Sequence, residues 1–185
     1  MNHYETRLSG LICLEPPIFG DDRGFFTESY HQEKWAKEGV SCSFVQDNFS
    51  VSQKGILRGL HLQRDPKAQA KLLRVTLGSI LDVAVDLRPN SSTFCQWEAV
   101  ELSDKNHRQL FVPTGFAHGF LVLSDVAHVH YKCSEFYSPE HEVSIQWNDS
   151  DLGIQWFSED PISPSLSEKD QNGLSLKTYL SQIET

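Results

Sequence analysis

The sequence has little of what marks several large classes of protein. Its 16 Lys and Arg stand against 25 Asp and Glu, a formal charge of −9, and no run of cations breaks that acidic balance. A nucleic-acid binder needs clustered cations to meet the phosphate backbone, so that class is set aside. Any anionic ligand must instead be held by a few local cations. No apolar stretch approaches the ~20 residues that cross a bilayer, so no membrane span is expected. The first residues, Met1-Asn2-His3-Tyr4-Glu5, show no basic segment with an apolar one behind it. No signal peptide is read there, and the cytoplasm is the expected location. The four cysteines, Cys13, Cys42, Cys95 and Cys133, include no Cys-x-x-Cys pair. A zinc ribbon and a thioredoxin-type redox pair are thereby excluded, and all four are expected as free thiols.

What is present is a chain of 185 residues, a length that suits one core of roughly 100–200 residues. No repeat or low-complexity tract divides it. Only one segment reads as a convincing helix, over residues 30–38, with Ser29 to cap it, Gly39 to end it and Trp35 to anchor it. Residues 71–87 read as a hairpin turning at Leu77-Gly78-Ser79. In its second arm Leu81, Val83, Val85 and Leu87 share one face, and Asp82, Ala84 and Asp86 the other. Further strands are expected over 44–51, 56–63, 94–102, 109–113, 119–123, 126–136 and 143–147. Many short strands with few helices indicate an all-β antiparallel jelly roll, a sandwich or barrel with a cavity open at one end. After residue 150 the character changes: Pro161-Ile162-Ser163-Pro164 is irregular and a short helix follows Ser167, with Asp170 near it.

Several polar residues are expensive for their surroundings. Arg58, His61 and Lys71 sit among apolar neighbours in strands, and a buried cation without a partner costs several kcal/mol. One such residue is ordinarily a structural ion pair; three, together with His118 between apolar residues and glycine, point to a pocket. Strict alternation would put Arg58 and His61 on opposite faces, so both can line one cavity only if the strand bulges, and Gly59 is the place for it. On the strand over 126–136, Tyr131 shares an inward face with Ala127, Val129 and Cys133. His128 and His130 then face out, and their His-x-His spacing lacks a third metal ligand. Asp82 reads equally as support for Lys71 or His118 and as a surface carboxylate.

Nine segments, in order, resemble the dTDP-4-dehydrorhamnose 3,5-epimerase family. They are Phe19-Gly20-Asp21-Asp22-Arg23-Gly24-Phe25-Phe26-Thr27-Glu28, Val45-Gln46-Asp47-Asn48, Leu57-Arg58-Gly59-Leu60-His61, Gln69-Ala70-Lys71-Leu72 and Asp82-Val83-Ala84-Val85-Asp86-Leu87-Arg88. The remainder are Pro113-Thr114-Gly115-Phe116-Ala117-His118-Gly119-Phe120, Tyr131-Lys132-Cys133, Trp147-Asn148-Asp149 and Leu166-Ser167-Glu168-Lys169-Asp170. The resemblance implies a cupin-type jelly roll, a homodimer, and catalysis without a metal or other cofactor. Its substrate would be a dTDP-linked 4-keto-6-deoxy sugar, inverted at C3 and C5. It implies one domain over 1–185, with the jelly-roll core over roughly 40–150 and residues 151–185 contributing to the site. It also implies His61 as catalytic base, Asp170 as its carboxylate partner, Tyr131 as proton donor and Lys71 beside the keto oxygen. Arg23, Glu28, Gln46, Asn48, Arg58, His118, Glu142 and Lys169 match ligand contacts, and Tyr137 matches an aromatic that stacks on thymine.

Two positions depart from the family pattern: Leu62 stands where an aromatic often follows the histidine, and Phe157 replaces the usual proline after Trp156. Neither removes a chemical group. The residue types suit the chemistry, because a 4-keto group acidifies the hydrogens on C3 and C5. A histidine titrating near ~6.5 can take one, a lysine can face the enolate oxygen, and a tyrosine with pKa near ~10 can donate. The alternatives are an epimerase of C3 alone, one acting on another nucleotide-linked 4-keto-6-deoxy sugar, a metal-dependent cupin, and a sugar-binding jelly roll.

Overall fold

The computed structural model describes residues 1–156 and 163–183, so Phe157, Pro161 and Ile162 lie outside the described residues. The strands are β1 (Asn2–Glu5), β2 (Ile12–Glu15), β3 (Phe19–Asp21), β4 (Gly24–Phe26), β5 (Gln46–Gln53), β6 (Leu57–Gln63) and β7 (Lys71–Leu77). They continue with β8 (Ser79–Asp86), β9 (Trp97–Ser103), β10 (Gln109–Val112), β11 (Phe116–Val122), β12 (Val126–Cys133) and β13 (Glu142–Ser144). Three short helices, α1 (Gln32–Lys37), α2 (Glu168–Gln171) and α3 (Leu176–Ile183), complete the order. A six-stranded sheet runs β1-β2-β10-β7-β12-β5 and a five-stranded sheet β13-β6-β11-β8-β9, with β3-β4 as a separate hairpin. Every strand pair is antiparallel. This is the expected all-β, cupin-type jelly roll.

Apolar side chains fill three layers. Leu73, Val75, Leu110, Ala127 and Val129 of the six-stranded sheet meet Ile80, Ala84, Phe116, Phe120 and Val122 of the five-stranded sheet. The outer face of the five-stranded sheet is covered by the C-terminal segment, where Leu152, Trp156, Leu176 and Tyr179 pack on Val83, Val85 and Leu121. Trp35 of α1 packs on Leu14, Leu72 and Phe111 outside the other sheet. β8 is therefore buried on both faces, which is why its alternating pattern contains almost no exposed residue.

Two local expectations need correction. Residues 71–87 are not a hairpin: β7 and β8 belong to different sheets, and Gly78 is the corner between them. Gly78 has φ +79°, and a Cβ there would lie 2.1 Å from the Val126 carbonyl oxygen, so the corner requires glycine. The first helix starts two residues later than expected, with His31 rather than Ser29 at its N-cap and no side-chain cap bond. The aromatic ring of Tyr30 instead packs edge-on against Trp35 and Phe44, holding the chain outside the helix. β1, β2, the β3–β4 hairpin and α3 were not foreseen.

One polar knot stabilises the fold at the end of β8. The Asp86 carboxylate is fully buried and accepts from Arg88 Nε at 2.8 Å, Arg88 Nη2 at 2.7 Å and Thr93 Oγ1 at 2.7 Å, with Ser91 Oγ also donating. Burial alone would raise its pKa, but these donors outweigh it and hold the value down at about 2 against an ordinary 3.8. A depressed carboxylate stabilises the fold above its unfolded pKa and stops doing so as pH falls through its folded one. Urea unfolding followed from pH 5 to pH 2 should therefore show a loss on the order of 2 kcal/mol that Asp86→Asn lacks. Parallel curves for the two proteins would show that the knot carries no such linkage.

Candidate active site

A cavity of about 440 Å³ opens between the two sheets, lined by residues of both and by the segment carrying α2. Gln46, Asn48 and Ser50 of β5, Lys71 of β7 and Tyr131 of β12 come from the six-stranded sheet. Arg58, His61 and Gln63 of β6, His118 and Phe120 of β11 and Glu142 of β13 come from the other. His61 and Tyr131 thus stand on opposing walls.

The bulge expected at Gly59 is present. β11 pairs His118 with His61 and Phe120 with Arg58, so one residue of β11 faces two of β6. Gly59 has φ +116° and lies so close to β11 that a Cβ would come 2.5 Å from Gly119 Cα. That crossing turns Arg58 and His61 toward the same cavity. The Arg58 Nε donates to Ser52 Oγ at 3.0 Å.

His61 Nε2 lies 2.6 Å from Asp170 Oδ1. The Asp170 carboxyl is buried, which alone would raise its pKa, yet hydrogen bonds from His61 and Ser167 bring it below the ordinary value. An ionised carboxylate only accepts, so Nε2 carries the hydrogen and Nδ1 the free lone pair. Burial pushes the imidazole pKa down, against the pull of Asp170, with Lys169 and Lys71 adding to the fall. The ring is therefore neutral and basic at neutral pH. Burial raises the Tyr131 phenol above its ordinary value, so that group stays protonated. Lys71 forms no hydrogen bond or ion pair among the described residues; burial lowers its pKa, while Cys133, Glu142 and Asp82 pull it back up through space.

Around this centre the polar contacts are continuous. Tyr137 donates its hydroxyl to Glu142 Oε2 and Lys169 its Nζ to Glu142 Oε1, each at 2.8 Å. The backbone N–H of Tyr137 donates to Gln46 Oε1 at 2.9 Å, and Gln46 Nε2 to Asn48 Oδ1 at 3.2 Å. The Tyr137 ring itself is exposed. His118 Nε2 meets both oxygens of Asp82 at 2.9 and 3.0 Å, and Asp82 is fully buried. Of its two readings, support of His118 is the one realised; the surface carboxylate is not.

Eleven of the thirteen residues picked from the sequence line this cavity: His61, Lys71, Tyr131, Asp170, Gln46, Asn48, Arg58, His118, Tyr137, Glu142 and Lys169. Arg23 and Glu28 do not. Arg23 pairs with Asp21 in the β3–β4 turn, and Glu28 pairs with Lys34 at 2.6 Å. The departing Leu62 is on the cavity wall. Three residues were missed. Gln63 Nε2 donates to the carbonyls of Lys67 and Phe136, its Oε1 accepts from Ser138 N–H, and Gln69 Nε2 donates to the Glu135 carbonyl, so both hold the segment that presents Tyr137. Ser167 donates to Asp170. For Gln63 a signal existed, since alternation puts it on the same face as His61. His128 and His130 flank Phe49, with ring centroids 5.5 and 4.5 Å away, on the outer face of the six-stranded sheet.

The family model described as dTDP-4-dehydrorhamnose 3,5-epimerase matches residues 5–178. A protein of that name from Pseudomonas aeruginosa is 54% identical over 171 residues, covering 91% of this chain and 93% of its own. One from Methanothermobacter thermautotrophicus is 51% identical over 168 residues, covering 91% and 90%. A crystal structure of a dTDP-6-deoxy-D-glucose-3,5-epimerase from Legionella pneumophila in complex with dTDP-4-keto-L-rhamnose superposes with a TM-score of 0.92. It is 45% identical and covers 98% of this chain and 96% of its own.

Proposed function

The chain belongs to the dTDP-4-dehydrorhamnose 3,5-epimerase family, and from that premise we propose how its residues divide the reaction. The enzyme inverts C3 and C5 of dTDP-4-dehydro-6-deoxy-D-glucose to give dTDP-4-dehydro-L-rhamnose. Each inversion removes a hydrogen on one face of the carbon and returns one on the other. The placement of a neutral histidine and a protonated tyrosine on opposing sheets is the observation that carries the reading.

His61 Nδ1 takes the hydrogen from the carbon next to the keto group, and Asp170 stabilises the imidazolium that forms. Lys71 faces the developing enolate oxygen with an ammonium that makes no hydrogen bond or ion pair among the described residues. Tyr131 donates to the opposite face, leaving a phenolate that solvent and the imidazolium reset. Arg58 and Lys169, joined by Arg23, hold the diphosphate, Gln46, Asn48, His118 and Glu142 contact the ligand, and Tyr137 stacks on thymine. The wild-type enzyme in D2O should place deuterium at both C3 and C5 of the dTDP-sugar, read separately by NMR. Label at C3 alone would contradict the double inversion.

Stacking on a base is worth roughly 1–3 kcal/mol. Tyr137→Ala is thus expected to raise KM about tenfold while keeping most of kcat. A collapse of kcat at saturating substrate would show that the ring does more than bind.

The expected homodimer and the remaining two site residues belong together. The β3–β4 hairpin exposes Phe19, Phe25 and Phe26, an apolar surface that a second copy would cover. We assign Arg23 and Glu28 to the site across that dimer, since neither lines the cavity of its own chain. Sedimentation should report twice the 21.0 kDa chain mass; a fully active monomer removes both assignments. The single-domain division, with residues 151–185 completing the site, predicts that a chain ending at 150 has no epimerase activity. No helix among the described residues is long and apolar enough to cross a membrane, and we assign the enzyme to the cytoplasm, which cell fractionation followed by assay would test.

A further inference from the structure

Ser167 lies at the cavity edge beside Asp170, the partner of the base. Its hydroxyl donates to Asp170 Oδ2 at 2.8 Å, while Asp170 Oδ1 receives His61 Nε2 at 2.6 Å. The Gly59 backbone N–H adds a smaller pull that helps to lower the carboxyl pKa. The same serine oxygen accepts the Asp170 backbone N–H at 3.2 Å and so caps α2. Asp170 is itself buried, and torsion about the last bond of an aspartate is soft. A carboxylate held by one oxygen alone can swing, and a buried oxygen stripped of its donor costs free energy that rotation would relieve.

We propose that Ser167 is a positioning residue of the epimerase: by holding Oδ2 of Asp170 it keeps Oδ1 on His61, and thereby keeps the imidazole aimed at the substrate. The inference rests on the reading of His61 as the base. The hydroxyl has two separable jobs here, capping the helix and donating to the carboxylate, and only the second concerns catalysis.

The fold provides an internal control. α2 carries Lys169 as well as Asp170, and Lys169 reaches Glu142 in the nucleotide end of the cavity. If Ser167 merely kept α2 folded, its loss would displace both side chains and weaken dTDP binding together with turnover. If it orients Asp170, turnover falls while dTDP affinity stays.

Three substitutions separate these outcomes. Ser167→Ala removes both jobs. Ser167→Thr restores both, since threonine keeps the hydroxyl and is itself a good N-cap. Ser167→Gly keeps most of the cap, because glycine is well tolerated at an N-cap, but offers no side-chain donor to the carboxylate. The expected result is that Ser167→Ala lowers kcat about tenfold, the scale of one lost hydrogen bond to a charged group, with the calorimetric Kd for dTDP within about twofold. Ser167→Thr should recover kcat, and Ser167→Gly should not, measured at saturating substrate. Wild-type kcat in Ser167→Ala overturns the proposal. So does joint loss of kcat and dTDP affinity that Ser167→Gly repairs, since that is the signature of a cap alone. His61→Asn, run alongside, tests the underlying reading separately: if it still exchanges substrate hydrogens, the base assignment fails whatever Ser167 does.

Discussion

In D2O, His61→Asn will leave C3 and C5 of the substrate unlabelled, whereas Tyr131→Phe will label them with little inversion. The two variants must fail differently because the two side chains stand on opposing sheets. Without the imidazole the wall loses the base that Asp170 orients, and general-base loss typically costs 10²–10⁴-fold. Asparagine keeps a polar group of similar reach, so the loss reports the missing base rather than a collapsed wall. Tyr131→Phe keeps the base, and with Lys71 beside the oxygen the enolate still forms. Reprotonation then comes from the His61 side, which returns the starting configuration but carries solvent deuterium once the imidazolium has exchanged. Wild-type inversion by Tyr131→Phe, or rapid exchange by His61→Asn, would show that the roles are wrongly divided.

The second large effect concerns Lys71, where activity and stability are expected to move in opposite directions. Its ammonium has no hydrogen-bonded or ion-paired partner among the described residues, and burial holds its pKa below the ordinary value. Lys71 is half-buried, so part of its hydration is lost with no partner to offset it, and an apolar side chain of similar length removes that cost. Lys71→Met should therefore melt at the wild-type temperature or above it. Yet it should lose about 10²–10³ in kcat, the scale set by removing one donor from a developing oxyanion, with dTDP affinity unchanged. A variant that melts well below wild type would reveal a structural ion pair instead. One that turns over normally would remove Lys71 from the enolate.

The sequence by itself determined the residue types and the local periods. Alternation in residues 126–136 placed Tyr131 inward and His128 and His130 outward, and β12 has that arrangement. Gly59 marked where β6 had to bulge, because only a residue without a side chain lets β11 approach so closely. Ser167 marked the start of α2 by its capping chemistry. These are short-range properties, set by sterics and hydrogen bonding within a few residues.

What lay beyond that range only the tertiary structure decided. A period of two is the same for a hairpin arm and for a strand that turns a corner into another sheet, so Gly78 read as a hairpin turn although β7 and β8 never pair. Asp82 had no local signal to separate a surface carboxylate from a buried one, and the packing of β8 against β11 settled it by bringing His118 to 2.9 Å. Arg23 and Glu28 carry the same residue types as true cavity residues, yet the β3–β4 hairpin lies where neither enters the cavity of its own chain. The opposition of His61 and Tyr131 is likewise a property of two sheets, because no spacing along one strand can put a base and an acid on facing walls.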